Sequence, residues 1–414
     1  MPLQPGHPPD CDPDKVLKSR DTGTPFEVAA AFLRLGVTSF GGPIAHLGYF
    51  HREFVVRRRW LDEDHYGHLV ALCQFLPGPA SSQVGFSLGL MRAGWLGGFA
   101  AFLGFTLPSA LALLVFAALS DRLTGPLGQA AIHGLKLVAV AVVAQGVLRM
   151  VQRLTPDRNR ALMAAAAAGL VAISGTALMQ LYAVAGGALL GLWLCRHVER
   201  DTGGTFSIGY GRRVGSLLLT AFAILLAASL SVAHHGPLLA QIAAAFYRTG
   251  ALVFGGGHVV LPLLQHAIVE PGWIGKDAFL SGYGAAQAVP GPMFSFAAFL
   301  GAQLQGGCGG IVGAGIGLAG IFLPGLLLVS GALPYWQTLA RRERAASMLA
   351  GVNAAVVGLL AAALYNPVWT SAVLSARDFA IALVAFAMLV AARWSPLVVT
   401  VWCVLASITS TLRP

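Results

Sequence analysis

Charge is scarce in this chain. Only 11% of its 414 residues are Asp, Glu, Lys or Arg and 56% are hydrophobic, whereas soluble domains carry about 25% charged residues. A soluble globular class is therefore excluded. Cysteine is equally thin: Cys11, Cys73, Cys195, Cys308 and Cys403 are scattered, odd in number and never spaced as CxxC, so neither a disulfide framework nor a zinc site is encoded. No GxxxxGK[ST] stretch occurs, which argues against direct ATP hydrolysis, and no cofactor or metal is implied. The formal net charge of +10 could suggest nucleic acid, but the basic residues fall between apolar runs, where membrane topology places them. The first 24 residues lack an apolar core and are neither a signal peptide nor a span; they read as a cytoplasmic tail.

Long apolar windows are what the chain has in abundance. Gly94 to Leu119, Ala131 to Val151, Ser216 to Val232, Gly309 to Leu333 and Asp378 to Val390 each approach the ~20 residues that cross a bilayer as helix. Lipid offers no partner for backbone polar groups, so a spanning chain is all-helical or a closed barrel. Runs this long and without alternation exclude the barrel. The expected class is an all-α polytopic membrane protein.

The chain also repeats itself. FLRLGVTSFGGP (Phe32 to Pro43) lies over FYRTGALVFGGG (Phe246 to Gly257), Gln74-Phe-Leu-Pro-Gly-Pro79 over Gln287-Ala-Val-Pro-Gly-Pro292, Phe105-Thr-Leu-Pro108 over Ile321-Phe-Leu-Pro324, and Gly134-Leu-Lys136 over Gly351-Val-Asn353. The offset drifts only from 214 residues (Phe40 to Phe254) to 217 (Gly134 to Gly351). Two homologous halves follow, with a tail at 1–24, a first repeat at 25–200, a linker and connecting helix at 201–236 and a second repeat at 237–414. Six hydrophobic segments per half plus one connector give about thirteen helices, and this parity brings the second half in from the opposite side as an inverted repeat.

With the N-terminus inside, 17 Lys/Arg fall in inner loops and 7 in outer ones, as the positive-inside rule requires. The loop His51 to His65 is the exception, carrying Arg52, Arg57, Arg58 and Arg59 on the outside. A re-entrant hairpin over Phe26 to Phe50, turning at Gly41-Gly42-Pro43, would bring that loop inside but invert the loops after it. Both readings are open on the sequence; the spanning one agrees with more of the loops.

Three basic residues lie within segments: Arg34, Lys136 and Arg248. An arginine at the bilayer centre costs about 2.5 to 3.5 kcal/mol and so faces a cavity or a partner. Arg34 and Arg248 are repeat equivalents, about 15 Å into their helices, and two cations on a shared axis would suit a dianion; the bland alternative has each snorkelling or capping carbonyls. Pro77-Gly78-Pro79 and Pro290-Gly291-Pro292 interrupt helices within the membrane, which is tolerated where backbone lines a cavity or is buried in protein. Ser39, Gln74, Ser81, Ser82, Gln83, Gln287, Ser295 and Asn353 are expected to donate hydrogen bonds to an oxyanion near these breaks. Gly41, Gly42 and Pro43 with Gly255, Gly256, Gly257 and His258 would form a second pair of breaks. Candidates for carrying a coupling proton are His46, His133 and Glu27, with His258 beside them. A GxSxG match at Gly85 to Gly89 admits an intramembrane hydrolase through Ser87, but the second half lacks that serine.

An Arg-containing Phe-Gly-Gly segment followed by Gln-x-x-Pro-Gly-Pro, twice in one chain, resembles a long-chain member of the chromate ion transporter family. The resemblance runs from about Phe26 to the C-terminal helices. It implies efflux of chromate through the inner membrane, driven by the proton motive force, with sulfate as competitor and chromate resistance as the outcome. The family's FGGP pattern falls on Phe40, Gly41, Gly42 and Pro43; in the second half Gly257 replaces the proline, so the halves are expected to contribute unequally. An importer of sulfate-like oxyanions and a passive anion channel are the rival readings, and homodimerisation is left open.

Overall fold

The structure, a computed structural model, describes residues 23–40, 42–120, 125–174, 177–195, 206, 208–232, 236–254, 260–336 and 343–412. Helix α1 (Pro25–Thr38) starts where Thr24 accepts from the Glu27 amide, with Pro25 and an acidic residue in the first turn, an arrangement that satisfies the exposed amides and the helix dipole. It ends at Ser39, whose backbone is extended. Helix α2 (Gly42–Phe50) follows and continues as π-turns over His51–Arg57. Helix α3 (Glu63–Phe75), capped by Asp62, runs to the first Pro-Gly-Pro, and α4 (Ala80–Ser120) leaves it, with its two arms joined at Ala93 and Gly94.

Where these pieces end decides the topology. The Gly23 amide donates to the Arg92 carbonyl at 3.1 Å, the Arg92 guanidinium reaches Glu27 at 3.3 Å and Arg58 reaches it at 3.6 Å. Both guanidiniums lie over the Trp60 ring. The start of α1, the end of the π-turns and the end of α4's first arm therefore share one end of the molecule. Two hairpins enter from that end, turn at Ser39 to Gly42 and at Pro77 to Pro79, and leave again.

The second half repeats the plan. Helix α9 (Leu238–Leu252), α10 (Val260–Leu264) with its π-turns over Gln265–Val269, α11 (Lys276–Ala288) and α12 (Phe296–Ala302) form the equivalent hairpins, closed by the Gln305 amide on the Trp273 carbonyl at 3.2 Å. These enter from the opposite end. Gln303 Nε2, just past α12, donates to the Ala117 carbonyl and to Ser120 Oγ, which lie at the far end of α4. Helix α13 (Gly310–Ala332) runs back, and its Ser330 carbonyl accepts from Tyr210, a ring stacked on Trp95 at the near end.

Among the described residues the helices form two halves arranged as inverted repeats, with two hairpins in each half re-entering rather than crossing. The re-entrant alternative for Phe26 to Phe50 is the one observed. A second hairpin re-enters with it, so the downstream loops keep their sides and the arginines of His51 to His65 join the end that holds Arg92, Arg149 and Arg212. Lys276 moves to the other end. Among the described residues five helices are long and apolar enough to cross a membrane.

The remaining helices are exchanged between halves. Helix α5 (Pro126–Leu154) of the first repeat packs against α15 (Ala376–Val390) and α16 (Pro396–Leu412) of the second, while α14 (Glu343–Ala363) packs against α6 (Arg158–Ser174) and α7 (Ala177–Leu194) of the first. Equivalent glycines permit the close approach: a Cβ on Gly134 would lie 2.7 Å from the Val404 Cα, and one on Gly351 would lie 2.0 Å from the Gly187 carbonyl oxygen. The connector α8 (Arg212–Val232) covers α9 and α13.

Candidate functional site

Each Pro-Gly-Pro turn reaches across the centre to the other half. The Gly78 amide donates to the Val253 carbonyl at 2.7 Å, and the Gly291 amide donates to the Ser39 carbonyl at 3.0 Å. Ser39 and Val253 are repeat equivalents at the ends of α1 and α9, so each Pro-Gly-Pro docks on the other half's first break. Gly78 has φ +123 and Gly291 φ +103, values that side chains resist. A Cβ on Gly78 would lie 3.0 Å from the Gly325 Cα, and one on Gly291 would lie 2.9 Å from Ser109 Oγ; Ser109 and Gly325 each follow the proline inside α4 and α13, Pro108 and Pro324. These prolines remove one helical hydrogen bond each, beside the tips.

Several expected donors are already committed. Gln83 is fully buried, and its Nε2 donates to the Pro77 and Gly325 carbonyls, both at 3.0 Å. Ser295 Oγ donates to the Pro292 carbonyl at 2.6 Å. Gln287 Nε2 points at Met293 Sδ at 3.7 Å. Ser81 and Ser82 are buried, and the hydroxyls of Ser82 and Ser39 have no hydrogen-bond partner among the described residues. The breaks thus hold each other together, and their glycine amides are spent on the opposite half.

The open space lies beside the first tip. A cavity of about 120 Å³ is lined by Pro43, Gln74, Gly78, Arg149, Arg153 and Asn353, with apolar side chains between them. That volume holds several waters or a small oxyanion. Arg149 and Arg153 stand one turn apart at the end of α5, are exposed, and have no carboxylate partner among the described residues. Asn353 presents an enclosed Oδ1 without a hydrogen bond. Two guanidinium forks with unused donors are the arrangement that grips a tetrahedral oxyanion through paired hydrogen bonds.

Of the expected site residues, Pro43, Gln74, Gly78 and Asn353 meet in this cavity, flanked by Pro77 and Pro79. Gly42 begins α2 with φ +78. Gly41, Gly255, Gly256, Gly257 and His258 lie outside the described residues. Arg34 and Arg248 do not form a pair. Arg34 lies on the exposed face of α1 beside Leu33 and Val37, while Arg248 turns to α8, its Nη1 3.4 Å from the Ser229 carbonyl. The physical reason is the register of α1 and α9: their small and apolar faces pack on α4 and α13, which leaves the arginines on the outer side.

Lys136 is also not a free cation, since its Nζ sits 2.5 Å from Asp277 Oδ1. His133 pairs with Asp378 at 2.8 Å, and Glu27 is held by Arg92 and Arg58. His46 is 1% exposed, with both ring nitrogens unpartnered among the described residues. Ser87 of the GxSxG match is fully buried. Sequence reasoning missed Arg149 and Arg153 by counting them as loop charges. The available signal was an i, i+4 arginine pair at the end of a largely apolar helix, where the nearest acid, Asp157, is taken by Arg160. Among the described residues no cluster of His, Cys, Asp or Glu suits a metal ion.

The comparisons with known proteins identify the family. The family model described as "Chromate transporter" matches residues 26–192 and 240–408, one match per half. The chain is 28% identical to the chromate transport protein of Pseudomonas aeruginosa, over 81% of this chain and 79% of that one. It is 28% identical to the probable chromate transport protein of Synechococcus elongatus, over 85% and 86%, and 27% identical to the chromate transport protein of Cupriavidus metallidurans, over 86% of each. No solved structure matches. Two matched halves, bacterial relatives named as transport proteins and helices that span a bilayer lead to one conclusion: the chain is a multi-pass membrane protein and belongs to the chromate transporter family.

Proposed function

We propose that this protein is a secondary carrier that moves chromate, a tetrahedral dianion, out of the cytoplasm across the inner membrane and thereby confers chromate resistance. The observation that carries the reading is the cavity beside the first Pro-Gly-Pro, where Arg149 and Arg153 have no acidic partner among the described residues. It opens at the arginine-rich end, which the positive-inside rule makes cytoplasmic, so an internal anion meets the two cations first. The interlocked tips close the path beyond it. Sulfate has the same shape and charge and competes for the same guanidiniums. Coupling to the proton motive force has its best candidate in the buried His46, which lies about one turn beyond Pro43 of the cavity wall.

The test is radiolabelled chromate accumulation in everted vesicles energised by respiration, with and without excess sulfate and a protonophore. Respiration-dependent accumulation, lost with the protonophore and absent from an Arg149→Gln, Arg153→Gln double variant, is expected. Accumulation in right-side-out vesicles instead would make the protein an importer, and movement of sulfate alone would replace the substrate.

A further inference from the structure

The repeat allows the cavity to be mapped onto the opposite end of the molecule. Gln74, Gly78 and Asn353 become Gln287, Gly291 and Lys136. The mapping rests on contacts as well as sequence, because Gly134 and Gly351, two residues before Lys136 and Asn353, each pack against the exchanged helix of the other half. At the cytoplasmic end α3 and α14 stand apart and the cavity fills the gap between them. At the outer end the equivalent helices, α11 and α5, are packed along their length, so closely that a Cβ on Gly284 would lie 2.0 Å from the Leu135 carbonyl oxygen. One structure therefore displays the same helix interface open on one side and shut on the other.

What lies in the shut interface is a cation and its plug. The Lys136 side chain is 12% exposed, whereas the Asp277 side chain that holds it is 77% exposed and sits in the first turn of α11, at the outer mouth. The lysine is enclosed by the packed helices, while the aspartate lies at their open edge. Asp378 does not serve Lys136 in its place: one oxygen is taken by His133, and the other by the Leu374 amide and Ser375 Oγ. We infer that Lys136 is a second oxyanion station on the outward side, pseudo-symmetric to the Arg149 and Arg153 cavity, and that Asp277 occupies it as a tethered anion until the transported one arrives. Exchanging one anion for another at the same ammonium avoids stranding a buried, unpaired lysine, which is the costly state.

This inference rests on the transport reading, and the experiment separates the two. Chromate exchange is measured in right-side-out and everted vesicles of the full-length protein, so that half-saturation is read from each face. In Asp277→Asn the outer half-saturation is expected to fall at least fivefold with the cytoplasmic one changing less than twofold. Lys136→Gln loses exchange from the outer face, and Lys136→Arg retains it. Lys136→Glu combined with Asp277→Lys restores an ion pair but places a carboxylate at the station; it is expected to remain inactive while inserting normally. Full exchange in that swapped variant, or an unchanged outer half-saturation in Asp277→Asn, overturns the station and leaves the carrier standing. Absence of any chromate exchange in the wild type overturns the carrier itself.

Discussion

The two halves share their hairpins, their tips and their helix-packing glycines, yet one end of the molecule is open and the other is closed. At the arginine-rich end two arginines face a cavity without acidic partners among the described residues; at the opposite end the equivalent ground is held by a lysine matched to an aspartate. The backbone architecture is therefore duplicated while the electrostatics are not. Opposite states of one interface coexist because different side chains decide which is stable.

The contrast breaks most completely at its cations. Replacing Arg149 and Arg153 together by Gln is expected to lower chromate flux in everted vesicles more than tenfold, with membrane insertion unchanged by immunoblot. The tips come next. Gly78→Ala forces a side chain at φ +123 against the Gly325 backbone, a strain of about 1–3 kcal/mol; flux and the unfolding temperature in detergent should both fall. Gly291→Ala meets the movable Ser109 hydroxyl first, so its effect should be smaller, and equal losses would argue that the tips are interchangeable. Asn353→Ala is expected to weaken the cytoplasmic half-saturation about threefold, consistent with one hydrogen bond of about 1 kcal/mol. Smallest of all, Arg34→Gln should change flux less than twofold, while Arg248→Gln lowers detergent stability by about 1 kcal/mol through loss of its bond to the Ser229 carbonyl. A large transport defect at Arg34 would return it to the pathway.

Much of this could be read from the chain before any coordinates. The repeat, its inversion and the Pro-Gly-Pro breaks follow from local sequence, because proline and glycine act on the backbone wherever they stand. The direction in which a side chain faces is a different kind of property. Arg34 and Arg248 were read as a pair because their depth is a local property, but the direction in which they face is set by glycine contacts with α4 and α13, which no local pattern reveals. The partner of Lys136 is not legible locally, because Asp277, 141 residues away, belongs to the other half. Arg149 and Arg153 looked like topology signals because a cavity between α3, α5 and α14 exists only after helices from both halves have met. The loop at His51 to His65 shows the converse, since its arginines were a correct signal that the sequence could not reconcile with two spanning segments.

The exchange of helices between the halves carries a consequence for biogenesis. Gly134 finds its partners, Cys403 and Val404, only when the last helix has been made. At a synthesis rate of about 5–20 residues per second, the face of α5 waits in the bilayer for roughly 10–60 s before its neighbour arrives. The first half cannot be a finished folding unit on the ribosome, and α5 is where a lipid or an insertion chaperone would stand in for helices not yet translated.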